Sequence, residues 1–318
     1  TADRVQIKMA EFEALEFEDL FQQVKAIDWE TWIPPTGKFI VNGSSVKSKL
    51  SSVPACQSVA EKAIIEKLKE CYGIEHFEKS GALYDIKITL LKNRVTVTLD
   101  TTGPGLHKRG YRQSSVEAPI KETLAAAMVK LSHYNGRDPF CDPFCGSGTI
   151  PIEAALIAKN RAPGLDRSFA AQKWKNMDSK LWLEAADEAM DKEFHGQYDI
   201  WGGDIDPAAV ELAKHNAALA GVDDCIRFET ADAGKFRRDS EYGQLVTNPP
   251  YGERLLEKKE AEELYRAFGA ALRDLPPKWR VLVLSSHTEF ERCFGRSADK
   301  KRKLYNGMIK CDVFMYGK

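Results

Sequence analysis

One segment constrains the fold of this chain more than any other: Asp142-Pro-Phe-Cys-Gly-Ser-Gly-Thr149. An apolar lead, Pro139-Phe140-Cys141, runs into it, and an apolar helical pattern, Ile150 to Ala158, runs out of it. Glycine reaches backbone angles that side chains forbid and lets a ligand approach the main chain. A glycine turn between a strand and a helix is where open α/β sheets bind nucleotide-like cofactors. The surrounding pattern agrees. Strands are expected at 139–142, 198–203, 225–229, 244–248, 280–285 and 309–316, with helices between most of them. An Ala-rich helix, Ile120 to Leu131, precedes the first. Strands alternating with helices predict an α/β fold with a parallel, doubly wound, Rossmann-like sheet. A long insert between the first two strands holds Trp174, Trp182 and a helix near Ser179 to Phe194. It is expected to pack on that sheet or to cap its site.

The first hundred residues read differently. Val5 to Met9 and Lys38 to Asn42 alternate like strands, while Phe17 to Ala26 and Ser58 to Tyr72 have helical spacing. Asp85 to Leu91 and Arg94 to Asp100 alternate strictly around Lys92-Asn93, which predicts a hairpin. This is a small α+β module over residues 1–105. Gly103-Pro104-Gly105 breaks it, and a basic, aromatic linker follows over 106–118. The α/β domain then covers 119–318.

A second motif supplies the chemistry. Asn248-Pro-Pro-Tyr251 follows the apolar pair Leu245-Val246. Two prolines fix φ and remove two N–H donors. The result is a stiff loop of acceptors: the Asn248 side-chain oxygen and the Pro249 carbonyl. Such a pair suits a planar exocyclic amine, and the Tyr251 ring can stack on the flat system that carries it. Asn248, Pro249, Pro250 and Tyr251 are therefore the candidate catalytic residues. Together with the glycine turn they point to an amino-group methyltransferase that uses S-adenosylmethionine.

The cofactor set follows from strand ends. Asp142, Cys145, Gly146, Ser147, Gly148 and Thr149 form the turn itself. Gly203-Asp204-Ile205-Asp206-Pro207 ends the second strand, where the Asp204 carboxylate can accept bonds from both ribose hydroxyls. Ile205 would lie against the adenine face, Asp206 could simply cap the next helix, Asp232 after the third strand could accept from the adenine amine, and Asn248 at the fourth strand end is a candidate cofactor contact as well as a catalytic one. A nicotinamide dehydrogenase is disfavoured: its G-x-G-x-x-G would need glycine where Pro151 stands.

Composition narrows the partners. The seven cysteines include no Cys-x-x-Cys pair, so Cys141 and Cys145 read as packing residues and no metal is expected. No apolar run approaches the roughly 20 residues needed to cross a bilayer. Free thiols and the lack of a signal-peptide pattern suggest a cytoplasmic protein without a membrane partner. Net charge is −1, yet residues 43–116 hold twelve Lys/Arg against seven Asp/Glu. That local excess favours a polyanion partner. Lys108, Arg109, Tyr111 and Arg112 in the linker are the candidate RNA-binding residues.

Several segments carry a family resemblance. DPFCGSGTIPIEAA from Asp142, GDIDP from Gly203, TNPPYGERL from Thr247, LHKRGYRQ from Leu106, Ala118-Pro119 and Lys121-Glu122-Thr123-Leu124 resemble the bacterial RNA guanine-N2 methyltransferases with a THUMP domain. Ala162-Pro163-Gly164-Leu165 with Arg167 and Phe169 belongs to the same likeness. It is closest to the amino-terminal methyltransferase half of the enzyme that modifies 23S ribosomal RNA. The resemblance implies a class I methyltransferase sheet preceded by a ferredoxin-like tail plus THUMP module that docks RNA, with further chain ahead of Thr1. It implies that Asp142, Gly146 and Gly148 hold the methionine part of the cofactor, Asp204 its ribose and Asp232 its adenine. Asn248, Pro249 and Tyr251 would hold the target base. The expected product is N2-methylguanosine in 23S rRNA, with tRNA as the alternative. Adenine-N6 and protein glutamine-N5 enzymes share Asn-Pro-Pro-Tyr, so the motif alone does not separate them. A guanine pocket also needs an acceptor for the ring N1–H, for which Glu253, beside Arg254, is the candidate.

Overall fold

A computed structural model describes residues 1–112, 120–251 and 255–317. Gln113, Ala118-Pro119, Glu253 and Arg254 lie outside that set. The chain divides into two compact units, one built from residues 2–106 with 168–187, the other chiefly from 107–167 with 188–318.

The first unit is a four-stranded sheet under two helices. Its strands are β1 (Gln6–Glu13), β2 (Lys38–Val46), β3 (Leu83–Leu91) and β4 (Arg94–Asp100), in the order β1-β4-β3-β2. Only β2 and β3 run parallel. The β3–β4 turn is Lys92-Asn93, both left-handed at φ 51° and 67°. That is the twist a two-residue hairpin turn requires. Helices α1 (Phe17–Lys25) and α2 (Val53–Tyr72) set Leu20, Val24, Ile64 and Leu68 against Tyr84, Ile86, Ile88, Val95 and Val97. Helix α2 starts five residues ahead of its apolar pattern, with Pro54 in its first turn, where a missing N–H costs nothing.

The insert corrects an expectation. Residues 168–187 cluster with the first unit and complete its core, while the flanking parts of the insert, 159–167 and 188–199, belong to the second unit. Trp174 stacks on Tyr84, ring centroids 5.1 Å apart, and meets Trp32 edge-on. Its Nε1–H donates to the Leu83 carbonyl at 3.2 Å, and the Ala171 N–H donates to Thr101. A buried indole needs both an apolar bed and an acceptor, and this unit offers both.

The second unit is a seven-stranded mixed sheet. Its strands are β5 (Phe140–Asp142), β6 (Ile200–Asp204), β7 (Ile226–Thr230), β8 (Tyr242–Thr247), β9 (Lys278–Ser285), β10 (Lys300–Asn306) and β11 (Ile309–Tyr316), ordered β10-β11-β9-β8-β5-β6-β7. Strands β5 to β9 are parallel; β11 runs antiparallel to β9, and β10 to β11. The central strands are buried almost throughout, as a sheet covered on both faces demands. Helices α3 (Glu122–Leu131), α4 (Thr149–Ala158), α5 (Ser179–Asp191), α6 (Pro207–Leu219), α7 (Leu255–Ala271) and α8 (Phe290–Phe294) connect them; α5 begins in the first unit. Strand order reverses between β5 and β8, which opens a crevice at their carboxyl ends. Strand β10 was not expected, and it adds an antiparallel edge to the expected parallel sheet. No described helix is long and apolar enough to cross a membrane.

Replacing Trp174 by Ala should cost about 3–5 kcal/mol of stability in the first unit, the usual loss for a buried indole. Urea unfolding followed by fluorescence checks this, and an unchanged midpoint would detach the insert from that core.

Candidate active site at the carboxyl edge of the sheet

The glycine turn is held from three sides. The Cys145 N–H donates to the Gly203 carbonyl at 2.9 Å, which couples the turn to β6. Gly146 and Gly148 take φ of 51° and 83°, and Gly148 caps helix α4. A Cβ at Gly148 would lie 3.0 Å from the Ala213 methyl and 3.1 Å from the Phe228 ring, so α4 starts flush against α6 and β7. Cys145, Ser147, Gly148 and Thr149 are buried, and Gly146 is the part of the turn that reaches the surface. The third support, Asn216 on α6, was not singled out from the sequence. Fully buried, it donates from Nδ2 to the Ser147 carbonyl at 2.9 Å. An asparagine within an apolar helix face was the only signal for it.

Asp204 sits at the tip of β6, half-buried. Its Oδ2 accepts from the Gly146 N–H at 2.9 Å and its Oδ1 from the Asp206 N–H at 3.0 Å. A carboxylate oxygen has two acceptor sites, so each retains one for a ribose hydroxyl. Ile205 beside it is 73 % exposed, an apolar face for a flat ring. Asp206 caps α6 through the Ala208 N–H. Asp232 also works in a local turn: it accepts from the Gly234 N–H at 2.9 Å, and Lys235 lies 3.6 Å away.

Asp142 ends strand β5, directly before the turn. It is 1 % exposed and accepts from the Thr247 hydroxyl at 2.6 Å and the Phe144 N–H at 3.1 Å. Through Oδ1 its carboxylate ties β5 to β8. Burial pushes its acid strength down, the carboxyl rising to about 7, and the nearby Asp204 charge adds to the rise against the two hydrogen bonds.

Beyond Thr247 comes the acceptor loop. The Tyr251 hydroxyl donates to Asn248 Oδ1, and burial raises that phenol well above its ordinary range. The Pro250 carbonyl accepts from the Tyr265 hydroxyl at 2.6 Å. Tyr265 also contacts Ser285 Oγ at 3.3 Å, and Ser285 Oγ accepts from the His287 N–H at 3.1 Å. This brace from α7 and β9 was invisible as a motif, because one tyrosine in a helical pattern looks like any core residue.

The linker residues need a larger correction. Arg109 is buried and bonds both oxygens of Glu153 on α4 at 3.2 Å; Tyr111, also buried, donates to the same carboxylate at 3.2 Å. Arg112 donates to the Ile120 carbonyl and to Thr149 Oγ1, and pairs with Glu122 at 3.3 Å. These three side chains lock the start of the domain to α4 and are not available as a phosphate grip. Lys108 alone of the four is exposed. Among the described residues, no cluster of His, Cys, Asp and Glu could hold a metal.

Comparison with known proteins adds three findings. A model of the RMKL-like methyltransferase domain matches residues 109–314, and a THUMP-domain model matches 14–100. The chain is 49% identical to YpsC of Bacillus subtilis (strain 168), provisionally named an RNA methyltransferase, over 99% of this chain and 83% of that one. It is 34% identical to the ribosomal RNA large subunit methyltransferase K/L of Psychromonas ingrahamii over 99% of this chain, but spans only 43% of that protein. Two solved structures superpose closely. One, from Listeria monocytogenes str. 4b F2365 and described as a predicted N6-adenine-specific DNA methylase, has TM-score 0.92 and 45% identity, covering 99% of this chain and 83% of that one. The other, SMU.472 in complex with S-adenosylhomocysteine, has TM-score 0.89 and 43% identity, covering 100% and 85%.

Two measurements probe this geometry. Asp204→Ala should weaken S-adenosylhomocysteine binding at least about tenfold, the loss of a charge-assisted bond pair; calorimetry with wild-type affinity would remove Asp204 from the site. For Asp142, a folded pKa above the unfolded one means that its charge opposes folding. That cost is absent below about pH 4, grows up to about pH 7 and is flat above. Asp142→Asn should thus gain stability over wild type between pH 5 and pH 8, on the order of 2 kcal/mol at about 1.4 kcal/mol per pKa unit. Chemical denaturation at the two pH values reads the difference, and equal differences would contradict the buried charge.

Proposed function

The chain belongs to the RMKL-like methyltransferase family with a THUMP domain, and from that premise we propose that it methylates the exocyclic N2 amine of a guanosine in RNA. S-adenosylmethionine is the donor the site fits: a strand–glycine turn–helix with Gly146 partly exposed, a half-buried strand-tip carboxylate with unused acceptor sites, and an exposed isoleucine beside it. The sulfonium, when bound, supplies the electrophilic methyl group.

The chain's own residues act on the nucleophile. An amine conjugated to a purine is weakly nucleophilic because its lone pair is delocalised. Acceptors that hold its hydrogens while nitrogen becomes tetrahedral favour the transition state over the ground state. Asn248 Oδ1 and the Pro249 carbonyl have that role. Tyr265 fixes the loop by occupying the neighbouring Pro250 carbonyl. No strong base is needed, since the proton leaves to water after transfer. A base within folded RNA must swing out to reach this loop, and the Tyr251 ring receives it.

The observation that carries this reading is the position of Asn248: it follows directly on Thr247, whose hydroxyl is bonded to the strand that leads into the glycine turn. The K/L relatives are named for large-subunit ribosomal RNA, which puts 23S rRNA ahead of tRNA as the substrate. The adenine-N6 reading stays as the second candidate because the Listeria structure bears that description and the acceptor loop treats the two amines alike.

RNA from a strain lacking the gene, methylated in vitro and digested to nucleosides, should show N2-methylguanosine by mass spectrometry. N6-methyladenosine without N2-methylguanosine would overturn the choice of base. In the same assay Asn248→Ala should keep cofactor binding and lose about a hundredfold or more in turnover. A near wild-type rate would remove the acceptor role.

A further inference from the structure

The β10–β11 hairpin carries the run Lys300-Lys-Arg-Lys303, which the reaction above leaves unused. Strand β10 is one of the two edge strands of the sheet. Pairing of β11 with β9 ends at Asp312 and Ser285, whereas pairing within the hairpin continues through Leu304–Cys311, Tyr305–Lys310 and Asn306–Ile309. These last pairs overhang the carboxyl edge of β9, on the order of 10 Å at about 3.3 Å per residue. Gly307, at φ 63°, begins the two-residue turn at the tip. The overhang lies beside the acceptor loop: Cys311, Leu304 and Ile309 share an apolar cluster with Tyr251, and the Asn306 side chain neighbours the Tyr251 hydroxyl.

The other side of the overhang faces solvent. Tyr305 is 59 % exposed and Met308 97 %. Lys310 is the cross-strand neighbour of Tyr305, and Lys303 lies two residues before it on the same face. Lys301 pairs with Glu291 at 2.6 Å, but Lys303 and Lys310 form no ion pair with a described residue. Charged edge strands often serve only to block sheet-to-sheet pairing. That role gives no reason for an exposed aromatic ring and a thioether at the tip, next to the catalytic loop.

We propose that this overhanging hairpin is an RNA contact beside the target nucleotide, with Tyr305 and Met308 packing on a flanking base and Lys303 and Lys310 holding the phosphates of the same strand. A nucleotide drawn out of its stack leaves its neighbour exposed, and an aromatic ring flanked by cations fits an unstacked base on a polyanion. The inference rests on the RNA-methylation reading above.

The full chain is tested against Lys303→Glu/Lys310→Glu, Lys303→Gln/Lys310→Gln and Tyr305→Ala, with deproteinised RNA from a strain lacking the gene. Both double variants should bind this RNA at least about tenfold more weakly at low salt, with a log–log salt slope shallower by about 1.4 for two lost phosphate contacts. Tyr305→Ala should lower kcat/KM for RNA by about tenfold, the scale of one lost stacked base. S-adenosylhomocysteine binding should be unchanged in all three, which reports an intact fold. If wild type methylates the RNA while the Gln variant and Tyr305→Ala keep its affinity, salt slope and kcat/KM, the hairpin contact is overturned by itself. If wild type methylates no RNA, the reading of the function falls and the hairpin contact with it.

Discussion

The hydrogen bond from the Thr247 hydroxyl to Asp142 Oδ1, at 2.6 Å, joins the two halves of the site. It spans the point where strand order reverses. Strands β5 and β8 pair through only two register positions, Phe140 with Gln244 and Cys141 with Leu245. Beyond these the side chains must do what the main-chain ladder does elsewhere. One strand leads into the glycine turn and the other into the acceptor loop, and methyl transfer depends on holding donor and nucleophile at a fixed separation. A buried carboxylate is a costly way to make such a joint. It is tolerated because it accepts from both a hydroxyl and a main-chain N–H, so one small group organises the turn and fastens it to the neighbouring strand.

Much of this was legible in the sequence, and the reason is locality. Gly146, Gly148, Pro249 and Pro250 act on their own backbone, so their meaning does not depend on what lies across the fold. The six strands expected in the second unit lie within about two residues of the observed ones at each end, because most of them are buried and form apolar runs between turn residues. The missing strand, β10, is the one whose composition contradicts that rule: four successive basic residues look like a solvated loop. At an outermost strand, however, one flank faces no neighbour, and charge is tolerated there.

What could not be read was allegiance across distance. Arg109, Tyr111 and Arg112 have the composition of an RNA grip, and only the fold shows that the first two meet Glu153, more than forty residues on. The physical cause lies in α4, a helix buried on nearly every side. An acidic side chain within it has to be satisfied from somewhere, and a guanidinium with a phenol does so completely enough to keep the group inside. Trp174 poses the same problem. Its indole marks it as a core residue but says nothing about which core, and the choice follows from Tyr84 and the Leu83 carbonyl in the first unit.

The bond between Tyr251 and Asn248 bears on how the loop can admit a base. A carboxamide oxygen has two lone pairs, and on Asn248 one is already engaged by the phenol. Under the proposed function, a substrate amine would use the second lone pair while the first bond persists. The phenol gains from this arrangement too, since its buried hydroxyl needs an acceptor and Asn306 and Cys311 are its other neighbours. The tyrosine ring is thus held by its own hydroxyl near the amine acceptor, where a flat base can meet it with little further ordering of the side chain. Tyr265 does the same for the main chain, through the Pro250 carbonyl. Two tyrosines, one from the loop and one from α7, accordingly fix the Asn248 side chain and the Pro250 carbonyl; under the function proposed above, that is the preorganisation an electrostatic catalyst would require.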